Sequence, residues 1–437
     1  METLEHLVAR SVVVEGPIDL KALAVDEGWL FSGTEESIAA TGIAATIPVE
    51  GGLRSLEEVS ISKLLSTIEH FDTAGIGSKG LRAIGTLPFS PTAPAQLVVP
   101  SLIVQRHPDG SWVATSIAEQ DTMPTIARAQ DEVDLEVASP KVRAAVALPT
   151  PSGYEEAVRA ATKIMENSEL RKVVLGRRLT VSLDRAFDVS QALSRLSARE
   201  PLCTLYLVPT ARGRFFGASP ELIVAKEGTA FRSHPLAGSV AIDGSDGDAA
   251  REQALEASEK NQQEHRYVVQ DIVQRLGRLA TSVEADAQPT LMVLRSIAHL
   301  GTKITGTTAP WPSGPDALQL AAAIAPTPAV GGSPSELALT TIAELEGFDR
   351  AEWAGIAGSV DACGDGRFVL AIRGATADGA KLILHAGCGI VQASDPTEEL
   401  DEATFKLRAV LDVILPGAAE QLFAALSGRV SAESRDA

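Results

Sequence analysis

The stretch GIAGSVDACGDGRFVLAIRGATADGAKLILHAG, residues 355–387, decides the fold. Runs rich in apolar and β-branched residues alternate in it with turn signals at Gly364-Asp365-Gly366 and at Asp378-Gly379. Short runs bounded by such turns are typical of strands joined by tight hairpins, so the stretch predicts an antiparallel meander. A second pair of β-branched runs lies on either side of Pro108-Asp109-Gly110 and predicts another hairpin.

Helical periodicity occupies other parts of the chain. Apolar residues recur at helical spacing from Tyr154, from about Arg251, and over the ranges 318–324, 336–345, 400–414 and 418–426. Strands in blocks and helices in blocks predict an α+β fold rather than alternating βαβ units. Residues 117–152 are acidic and contain several prolines, and we interpret them as a connection. No strong linker is present, so the pattern alone is compatible with one large domain or with two.

The composition excludes several classes of partner. The chain has 437 residues and a net charge of −19, which opposes binding to nucleic acid or to an anionic membrane but still allows an anionic substrate in a local basic pocket. Its three cysteines are far apart and odd in number, which is typical of the reducing cytosol and gives no zinc site. Acidic residues and only a brief apolar run at the start lead us to expect no signal peptide, and no apolar run approaches about 18 residues. We therefore expect a cytoplasmic protein without a membrane span.

One predicted helix begins its apolar stripe with an acid. In SEKNQQEHRYVVQDIVQRL, residues 258–276, Glu264 is followed at helical spacing by Val268 and Ile272, and His265 aligns with the same stripe. The acid lies either on the solvated rim of this helix or inward for a functional reason. The helical pattern does not decide between the two.

A second helix, in the segment EELDEATFKL from residue 398, carries Glu399, Glu402 and Lys406 on one face. The common explanation of such a face is a solvated surface with an ion pair between Glu402 and Lys406. The alternative is a pocket wall, in which carboxylates hold a hard cation and the lysine meets an anion. Mg²⁺ suits that alternative because it takes oxygen ligands and needs only one or two carboxylates.

Two charged residues lie at the ends of predicted strands. Lys172 opens the apolar strand KVVLGRRL, where it is either a lysine that extends to solvent or, in a buried site beside a cation, a general base. Glu221 follows Ser219-Pro220 in FFGASPELIV, where it is either a turn acid or a general acid kept protonated by desolvation.

Three uncharged positions allow a structural or a functional explanation. His299 stands among apolar residues, where a lone histidine is more often part of the core. Gly387 and Gly389 in HAGCGIV indicate close approach of the backbone to a ligand or to a neighbouring strand. Spacing alone predicts a cytosolic α+β enzyme and leaves magnesium dependence open.

Taken together, the motifs resemble the chorismate-utilising enzymes, and most closely the isochorismate synthases. The matching segments run in family order between residues 172 and 407: KVVLGR, FFGASPELIV, HPLAGSV, SEKNQQEH, HLGT, PTPAVGG, EGFDRAEWAG, FVLAIRGA, AGCGIV and EELDEATFKL. The resemblance implies a single large α+β domain over residues 1–437, with two antiparallel sheets packed in layers and flanked by helices, as in anthranilate synthase component I. It divides the chain into a variable, strand-rich part (1–145) and a catalytic part (146–427), and the polar end of the sequence predicts a disordered tail (428–437).

The resemblance also implies roles for the candidate residues. Lys172 matches the general base that activates water for attack at C2 of chorismate, and Glu221 matches the acid that protonates the departing C4 hydroxyl. Magnesium ligands are implied at Glu264 and Glu402, with Glu399 helping to hold a metal-bound water. The implied substrate-binding positions are Arg373 and Lys406, which pair with carboxylates, and His299, Ala237, Ala329, Gly387 and Gly389, which line the pocket.

Sequence differences within the family favour water as the nucleophile. Ala237 stands where aminodeoxychorismate synthases typically carry a nucleophilic lysine, and Ala329 stands where salicylate synthases tend to have threonine. PTPAVGG also replaces the FPxGTxTGAPK pattern of the ammonia users. We therefore predict a magnesium-dependent isochorismate synthase without a glutaminase subunit, and the resemblance to a family that includes monomers implies a monomer. The alternatives are a salicylate synthase, an ammonia-using subunit of the anthranilate synthase type, and an inactive chorismate-binding homologue.

Three positions depart from the pattern of isochorismate synthases. Ala325 replaces a histidine, Trp353 stands where tyrosine or phenylalanine is usual, and Gly176 stands where serine or alanine is usual. None of the three removes an implied metal ligand or acid–base residue. The departures bear on substrate positioning and on rate.

Overall fold

Two large β-sheets form the framework of the protein, whose computed structural model describes residues 4–126, 139–242, 245 and 247–426. The strands, in chain order, are β1 (Val8–Val13), β2 (Trp29–Ser32), β3 (Ser37–Thr41), β4 (Ala45–Val49), β5 (Glu69–Asp72), β6 (Arg82–Leu87), β7 (Ala95–Val99), β8 (Leu102–Arg106), β9 (Trp112–Ala118), β10 (Val142–Leu148), β11 (Lys172–Leu183), β12 (Thr204–Thr210), β13 (Gly213–Ser219), β14 (Leu222–Glu227), β15 (Ala230–His234), β16 (Leu236–Ala241), β17 (Ser282–Ala285), β18 (Thr290–Val293), β19 (Ile297–Gly301), β20 (Ile304–Thr307), β21 (Gly332–Ser333), β22 (Ile356–Asp361), β23 (Gly366–Leu370), β24 (Gly374–Asp378) and β25 (Lys381–Ile390).

The helices lie between blocks of these strands. They are α1 (Leu20–Ala24), α2 (Gly52–Ser55), α3 (Ile61–Leu65), α4 (Pro151–Glu166), α5 (Val189–Arg199), α6 (Asp248–Ala257), α7 (Glu259–Leu276), α8 (Ala317–Ile324), α9 (Ser335–Leu345), α10 (Pro396–Ile414) and α11 (Ala419–Leu426), with a 3₁₀ helix at Gly77–Gly80. Among the described residues, no helix combines the length and the apolar character that a membrane crossing requires.

The larger sheet has 13 strands in the order β10-β11-β25-β24-β13-β12-β2-β3-β8-β9-β1-β5, with β21 beside β11. The second sheet has nine strands in the order β17-β20-β15-β14-β23-β22-β6-β7-β4, and a small sheet consists of β16, β19 and β18. Neighbouring strands pair antiparallel, apart from the parallel pair β1 and β5. The α+β prediction with two large antiparallel sheets is confirmed, and the small third sheet adds to it.

Side-chain alternation along the strands separates two hydrophobic cores. In β12, Tyr206 and Val208 belong to the core between the two large sheets, whereas Leu205 and Leu207 belong to a second core. That second core lies between the 13-stranded sheet and helices that include α5 and α10. Because successive side chains of a strand point to opposite faces, the 13-stranded sheet contributes to both cores. The protein is therefore layered, with the nine-stranded sheet on one face of the larger sheet and helices on the other.

The predicted meander is present, but it is divided between the two large sheets. Strands β22 and β23 pair in the nine-stranded sheet, and β24 and β25 pair in the 13-stranded sheet. The earlier strands β13 and β14 change sheets in the same way. As a result, the chain crosses between the sheets at Pro220-Glu221 and again at residues 371–373, and the two crossings are neighbours.

Helices α7 and α10 begin at well-formed caps. The Ser258 side chain accepts a hydrogen bond from the Asn261 backbone at the start of α7. Asp395 accepts from two backbone amides at the start of α10, and Pro396 occupies the first helical position. Such caps satisfy amides that the helix itself leaves unpaired, so they fix where each helix begins.

Some predictions for individual segments are confirmed and others are wrong. The hairpin at Pro108-Asp109-Gly110 is confirmed by the pairing of β8 with β9. The connection predicted over 117–152 is wrong in part, because β10 lies inside it and pairs with β11 at the sheet edge; residues 127–138 lie outside the described residues. The helix predicted from about Arg251 is two helices, since Ser258 is extended and ends α6 before it caps α7. The tail predicted at 428–437 lies outside the described residues.

Candidate active site

The two strand crossings bring Glu221 and Arg373 to one place between the sheets. Leu370 donates its backbone amide to the Glu221 carbonyl (3.0 Å), and Ala218 donates to the Arg373 carbonyl (3.1 Å). These two hydrogen bonds tie one crossing to the other. A cavity opens beside them, and ten of the twelve predicted site residues line it: Glu221, Ala237, Glu264, His299, Ala329, Arg373, Gly387, Gly389, Glu402 and Lys406.

Glu221 is buried, with 3% of its surface exposed, and its Oε1 has no hydrogen-bond partner among the described residues. Burial raises the pKa of this carboxyl to about 8, even though the Leu236 amide and the charges of Lys172 and Arg373 act in the opposite direction. Desolvation disfavours the charged form of a carboxyl group. Glu221 is therefore protonated at neutral pH and can donate a proton into the cavity.

Lys172 is fully buried at the start of β11, next to the cavity rather than on its lining. Its Nζ lies 3.0 Å from Oε1 of Glu264, without a well-aligned hydrogen bond among the described residues. Gly389 on the paired strand β25 makes room for this contact, because a Cβ there would lie 2.3 Å from Glu264 Oε1 and 2.9 Å from Lys172 Cε. The close approach predicted at Gly389 is therefore present, and the groups that approach its backbone are the paired side chains of Lys172 and Glu264.

Glu264 points inward from α7, which decides the question that the helical pattern left open. Its side chain is 12% exposed and lines the cavity. The neighbouring His265 is buried, and its Nε2 makes a 2.7 Å hydrogen bond with the Thr302 hydroxyl. Burial lowers the pKa of His265 to about 4, so this histidine is neutral and anchors the first turns of the helix.

Helix α10 contributes the predicted ion pair, but not at a solvated surface. Lys406 Nζ lies 2.7 Å from Glu402 Oε1 and donates a 3.2 Å hydrogen bond to the Gly387 carbonyl. Glu402 also accepts a 2.7 Å hydrogen bond from Ser239. Burial favours the neutral form of each partner, but their mutual attraction outweighs it, lowering the pKa of Glu402 and raising that of Lys406. Both groups are therefore charged at the cavity wall.

Glu399, one turn before Glu402, is 2% exposed and does not line the cavity. Its Oε1 lies 2.8 Å from Nζ of Lys260 on α7. Burial raises the pKa of Glu399, and the nearby Glu402 adds to this shift, while Lys260 opposes it. Burial alone would lower the pKa of Lys260, but the charges of Glu399, Glu402 and Glu264 all raise it, so its ammonium group interacts with all three acids.

The acids of this wall suit a hard divalent cation. Ligand atoms of Glu399, Glu402 and Cys388 lie within 4.8 Å of one another, and Glu264 faces the same cavity from α7. Burial holds the pKa of the Cys388 thiol well above its usual range, so sulfur remains protonated and only the carboxylate oxygens are available as ligands. Oxygen donors of this kind fit Mg²⁺ better than zinc or copper.

Arg373 and His299 form the other polar side of the cavity. An Arg373 guanidinium nitrogen lies 2.6 Å from Nε2 of His299, whose Nδ1 is 3.2 Å from the Gly238 carbonyl. Burial and the charges of Arg373 and Lys406 keep the pKa of His299 well below its usual range. The neutral ring therefore donates from Nδ1 and accepts at Nε2, which leaves the remaining guanidinium hydrogens for an anion.

Two of the sequence departures compensate each other. A Cβ on Gly176 would lie 2.8 Å from the Trp353 indole, so the indole takes the space that a side chain at 176 would need. Trp353 lines the cavity and stacks on His385, with ring centroids 5.2 Å apart. Ala325 is buried in the core between the sheets and does not line the cavity.

Sequence reasoning missed a buried ion pair that supports the site. Glu346 and Arg350 are each 3% exposed, and Glu346 accepts a 2.6 Å hydrogen bond from the Gly176 amide. Arg350 donates to the carbonyls of Val174 (2.7 Å) and Val330 (2.8 Å). The pair thus joins the Lys172 strand to the loop that carries Ala329. Opposite charges at i, i+4 in the motif EGFDRAEWAG were its only sequence signal.

Comparisons with known proteins agree with this architecture. Residues 28–415 match the family model described as "Chorismate binding enzyme". A Mycobacterium tuberculosis protein carrying the name MenF is 38% identical over 76% of this chain and 86% of its own length. The isochorismate synthase EntC of Escherichia coli K12 is 34% identical over 78% of this chain and 83% of its own length.

A solved structure extends the likeness to the fold. The menaquinone-specific isochorismate synthase MenF from Escherichia coli superposes with a TM-score of 0.77 at 23% identity, covering 93% of this chain and 94% of its own. At that identity the likeness concerns the fold alone.

Proposed function

This chain belongs to the chorismate-binding enzyme family, and on that premise we propose that it converts chorismate to isochorismate. The observation that carries the proposal is a pair of buried titratable side chains beside one cavity: Glu221, whose Oε1 has no hydrogen-bond partner among the described residues, and Lys172, whose Nζ lies 3.0 Å from Glu264 Oε1 without a well-aligned hydrogen bond. Such groups are costly to bury, so they persist where a ligand or a reaction uses them. The neutral Glu221 and the lysine supply an acid and a base for the same substrate.

The proposed reaction is an allylic displacement on the chorismate ring. Lys172 accepts a proton from water as the water oxygen bonds to C2. The ring double bonds shift, the bond between C4 and its hydroxyl breaks, and Glu221 gives its proton to the departing oxygen, which leaves as water. Neither side chain forms a covalent bond to the substrate, and the two protons balance.

Glu264 and Glu402 would hold Mg²⁺ in the proposed enzyme, with Glu399 behind them. When bound, the ion supplies positive charge that holds the carboxylate on the substrate ring. The geometry supports this assignment, because ligand oxygens of Glu399 and Glu402 lie within 4.8 Å of each other and Glu264 lines the same cavity from α7. Glu402 is already ionised through its contacts with Lys406 and Ser239.

The remaining cationic groups suit a dianion. Chorismate carries two carboxylates, and an acidic protein must gather positive charge locally to bind it. Lys406 and Arg373 both line the cavity. We assign the substrate carboxylates to them, with neutral His299 orienting the guanidinium from the side.

A product assay tests the proposal. Purified protein is incubated with chorismate and Mg²⁺, and the products are separated by chromatography alongside a Glu221→Gln control. We expect isochorismate, with pyruvate released no faster than by spontaneous breakdown of that product. Rapid, stoichiometric pyruvate and salicylate would instead identify a salicylate synthase, and substrate binding without turnover would identify an inactive homologue.

The same assay addresses the ammonia-using alternative. Ammonium salts should give no aminated product, and activity should not require a glutaminase subunit. Size-exclusion chromatography with light scattering should find a monomer. An aminated product formed at a rate comparable to isochorismate would assign the chain to the anthranilate synthase type.

A further inference from the structure

The backbone of Arg373 adopts a conformation that side-chain-bearing residues rarely take. Its φ is +58°, in the left-handed region that favours glycine. The residue lies at the crossing between β23 and β24, where the chain leaves one large sheet for the other. An arginine persists in this conformation only where surrounding contacts hold it, and such strain concentrates at functional sites.

Tyr206 provides a contact of that kind. It is fully buried in β12, and its hydroxyl donates a 2.9 Å hydrogen bond to the carbonyl of Ile372, the residue before Arg373. The next carbonyl along the chain, that of Arg373, accepts a hydrogen bond from the backbone amide of Ala218. Consecutive carbonyls at the crossing are therefore both fixed.

Two glycines make room for the tyrosine hydroxyl. A Cβ on Gly217 would lie 2.5 Å from that oxygen, and a Cβ on Gly374 would lie 2.6 Å from it. The second Cβ would also lie 2.0 Å from the Phe216 carbonyl. Residues 217 and 374 are opposite each other in the β13–β24 pair, so the hydroxyl enters the sheet at a rung without side chains.

We propose that Tyr206 is a positioning residue, which holds the strained crossing so that the Arg373 guanidinium points at a substrate carboxylate. Tyr206 is not itself a cavity-lining residue; it contacts the lining residue Ile372 and acts through the backbone at residues 372 and 373. The inference rests on the proposed function, because it takes Arg373 as the carboxylate-binding group.

The hydroxyl is the informative atom to remove. Tyr206→Phe keeps the buried ring but leaves the Ile372 carbonyl without its donor, so the crossing can relax and the guanidinium loses its fixed direction. We expect the KM for chorismate to rise about tenfold, the factor that corresponds to one lost hydrogen bond, with kcat changed by less than about threefold. Lys172 and Glu221, which carry the proton transfers, keep their places.

Tyr154→Phe is the matched control. Tyr154 is equally buried, and its hydroxyl donates a 3.0 Å hydrogen bond to the Leu175 carbonyl, away from residues 372 and 373. Both variants should lower the thermal midpoint by similar amounts. Only Tyr206→Phe should raise the KM, and it should not raise it further in an Arg373→Lys background, because the effect passes through Arg373.

A substrate-free measurement separates this inference from the proposed function. The ¹⁵N resonance of His299 Nε2 reports the hydrogen bond from Arg373, whatever reaction the protein catalyses. We expect Tyr206→Phe to shift this resonance toward that of an unbonded nitrogen, and Tyr154→Phe to leave it unchanged. An unchanged resonance in Tyr206→Phe, or KM effects that add with those of Arg373→Lys, would overturn the inference.

Discussion

The cavity has two walls that use the same kinds of side chain in opposite ways. In what we call the strand wall, Glu221 and Arg373 line the cavity and Lys172 lies next to them; in the helix wall, Glu264 and Glu402 line it and Glu399 lies behind Glu402. In the strand wall, Lys172 is fully buried, and burial raises the pKa of Glu221 to about 8. In the helix wall, burial also favours the neutral form of Glu402, but its contacts with Lys406 and Ser239 outweigh this and lower its pKa. Environment therefore separates Glu221, a carboxyl group that holds a proton, from Glu402, a carboxylate that holds charge.

The walls meet where Lys172 Nζ lies 3.0 Å from Glu264 Oε1. That contact joins the residue proposed as the base to a residue proposed as a metal ligand. If the two walls have these separate roles, substitutions in the strand wall should stop proton transfer, and substitutions in the helix wall should weaken Mg²⁺ binding. The following experiments test that division.

The largest effect is expected from Lys172→Ala. Loss of a general base costs about 10²–10⁴-fold in rate, so kcat should fall by that factor. Chorismate binding in the presence of Mg²⁺, measured by calorimetry, should persist. Lys163→Ala, a change at an exposed lysine, provides the control. Loss of binding together with turnover would give Lys172 a structural role and remove the distinction between the walls.

A change in the helix wall should act through the metal. Glu402→Gln removes one proposed ligand charge, so the Mg²⁺ concentration for half-maximal rate should rise at least about tenfold, with much of kcat recovered at saturating Mg²⁺. Glu398→Gln, at an exposed acid of the same helix, should leave the titration unchanged. A Mg²⁺ titration that is identical for Glu402→Gln and the unchanged protein would contradict the assignment.

The pH dependence distinguishes the two kinds of carboxyl group. Glu221 must be protonated to act as an acid, and with a pKa of about 8 its protonated fraction falls roughly tenfold per pH unit above that value. The kcat should therefore decline above about pH 8, while Mg²⁺ binding in the same range changes little. In Glu221→Gln the residual rate should lose this alkaline limb. A decline that survives in that variant would assign the titration to another group.

The smallest effect concerns Gly176 and Trp353, the two compensating departures from the family pattern. Gly176→Ala places a methyl group against the Trp353 indole, and overpacking of this kind costs about 1–3 kcal/mol of unfolding free energy. Combining it with Trp353→Phe should restore part of that loss, because the smaller ring vacates the space. Urea unfolding of the two single variants and the double variant measures the coupling. Additive losses would show that the two positions are independent.

The sequence predicted where individual strands lie along the chain better than it predicted which strands pair with one another. The hairpins at 108–110 and within 355–387 follow from turn residues that act locally. The period of a strand says nothing about which sheet it joins, so the crossings that place Glu221 and Arg373 together were not predictable from the motif 355–387 alone. The family resemblance selected both residues, and the structure brings them together.

The helix wall shows the same limit. The position of Glu264 on α7 was undecided because its partner, Lys172, comes from a distant strand. Lys260 escaped notice although it lies four residues before Glu264, since its partner Glu399 belongs to α10. Contacts between distant segments carry this information, and residue spacing within one helix does not.

The most direct test of the central claim uses labelled water. The protein is incubated with chorismate and Mg²⁺ in H₂¹⁸O, and the initial product is analysed by mass spectrometry. If Lys172 activates water for attack at C2 while Glu221 releases the C4 hydroxyl, isochorismate should carry one ¹⁸O at its new hydroxyl from the first turnovers. Unlabelled isochorismate would show that the original hydroxyl migrates, and it would contradict the roles assigned to both residues.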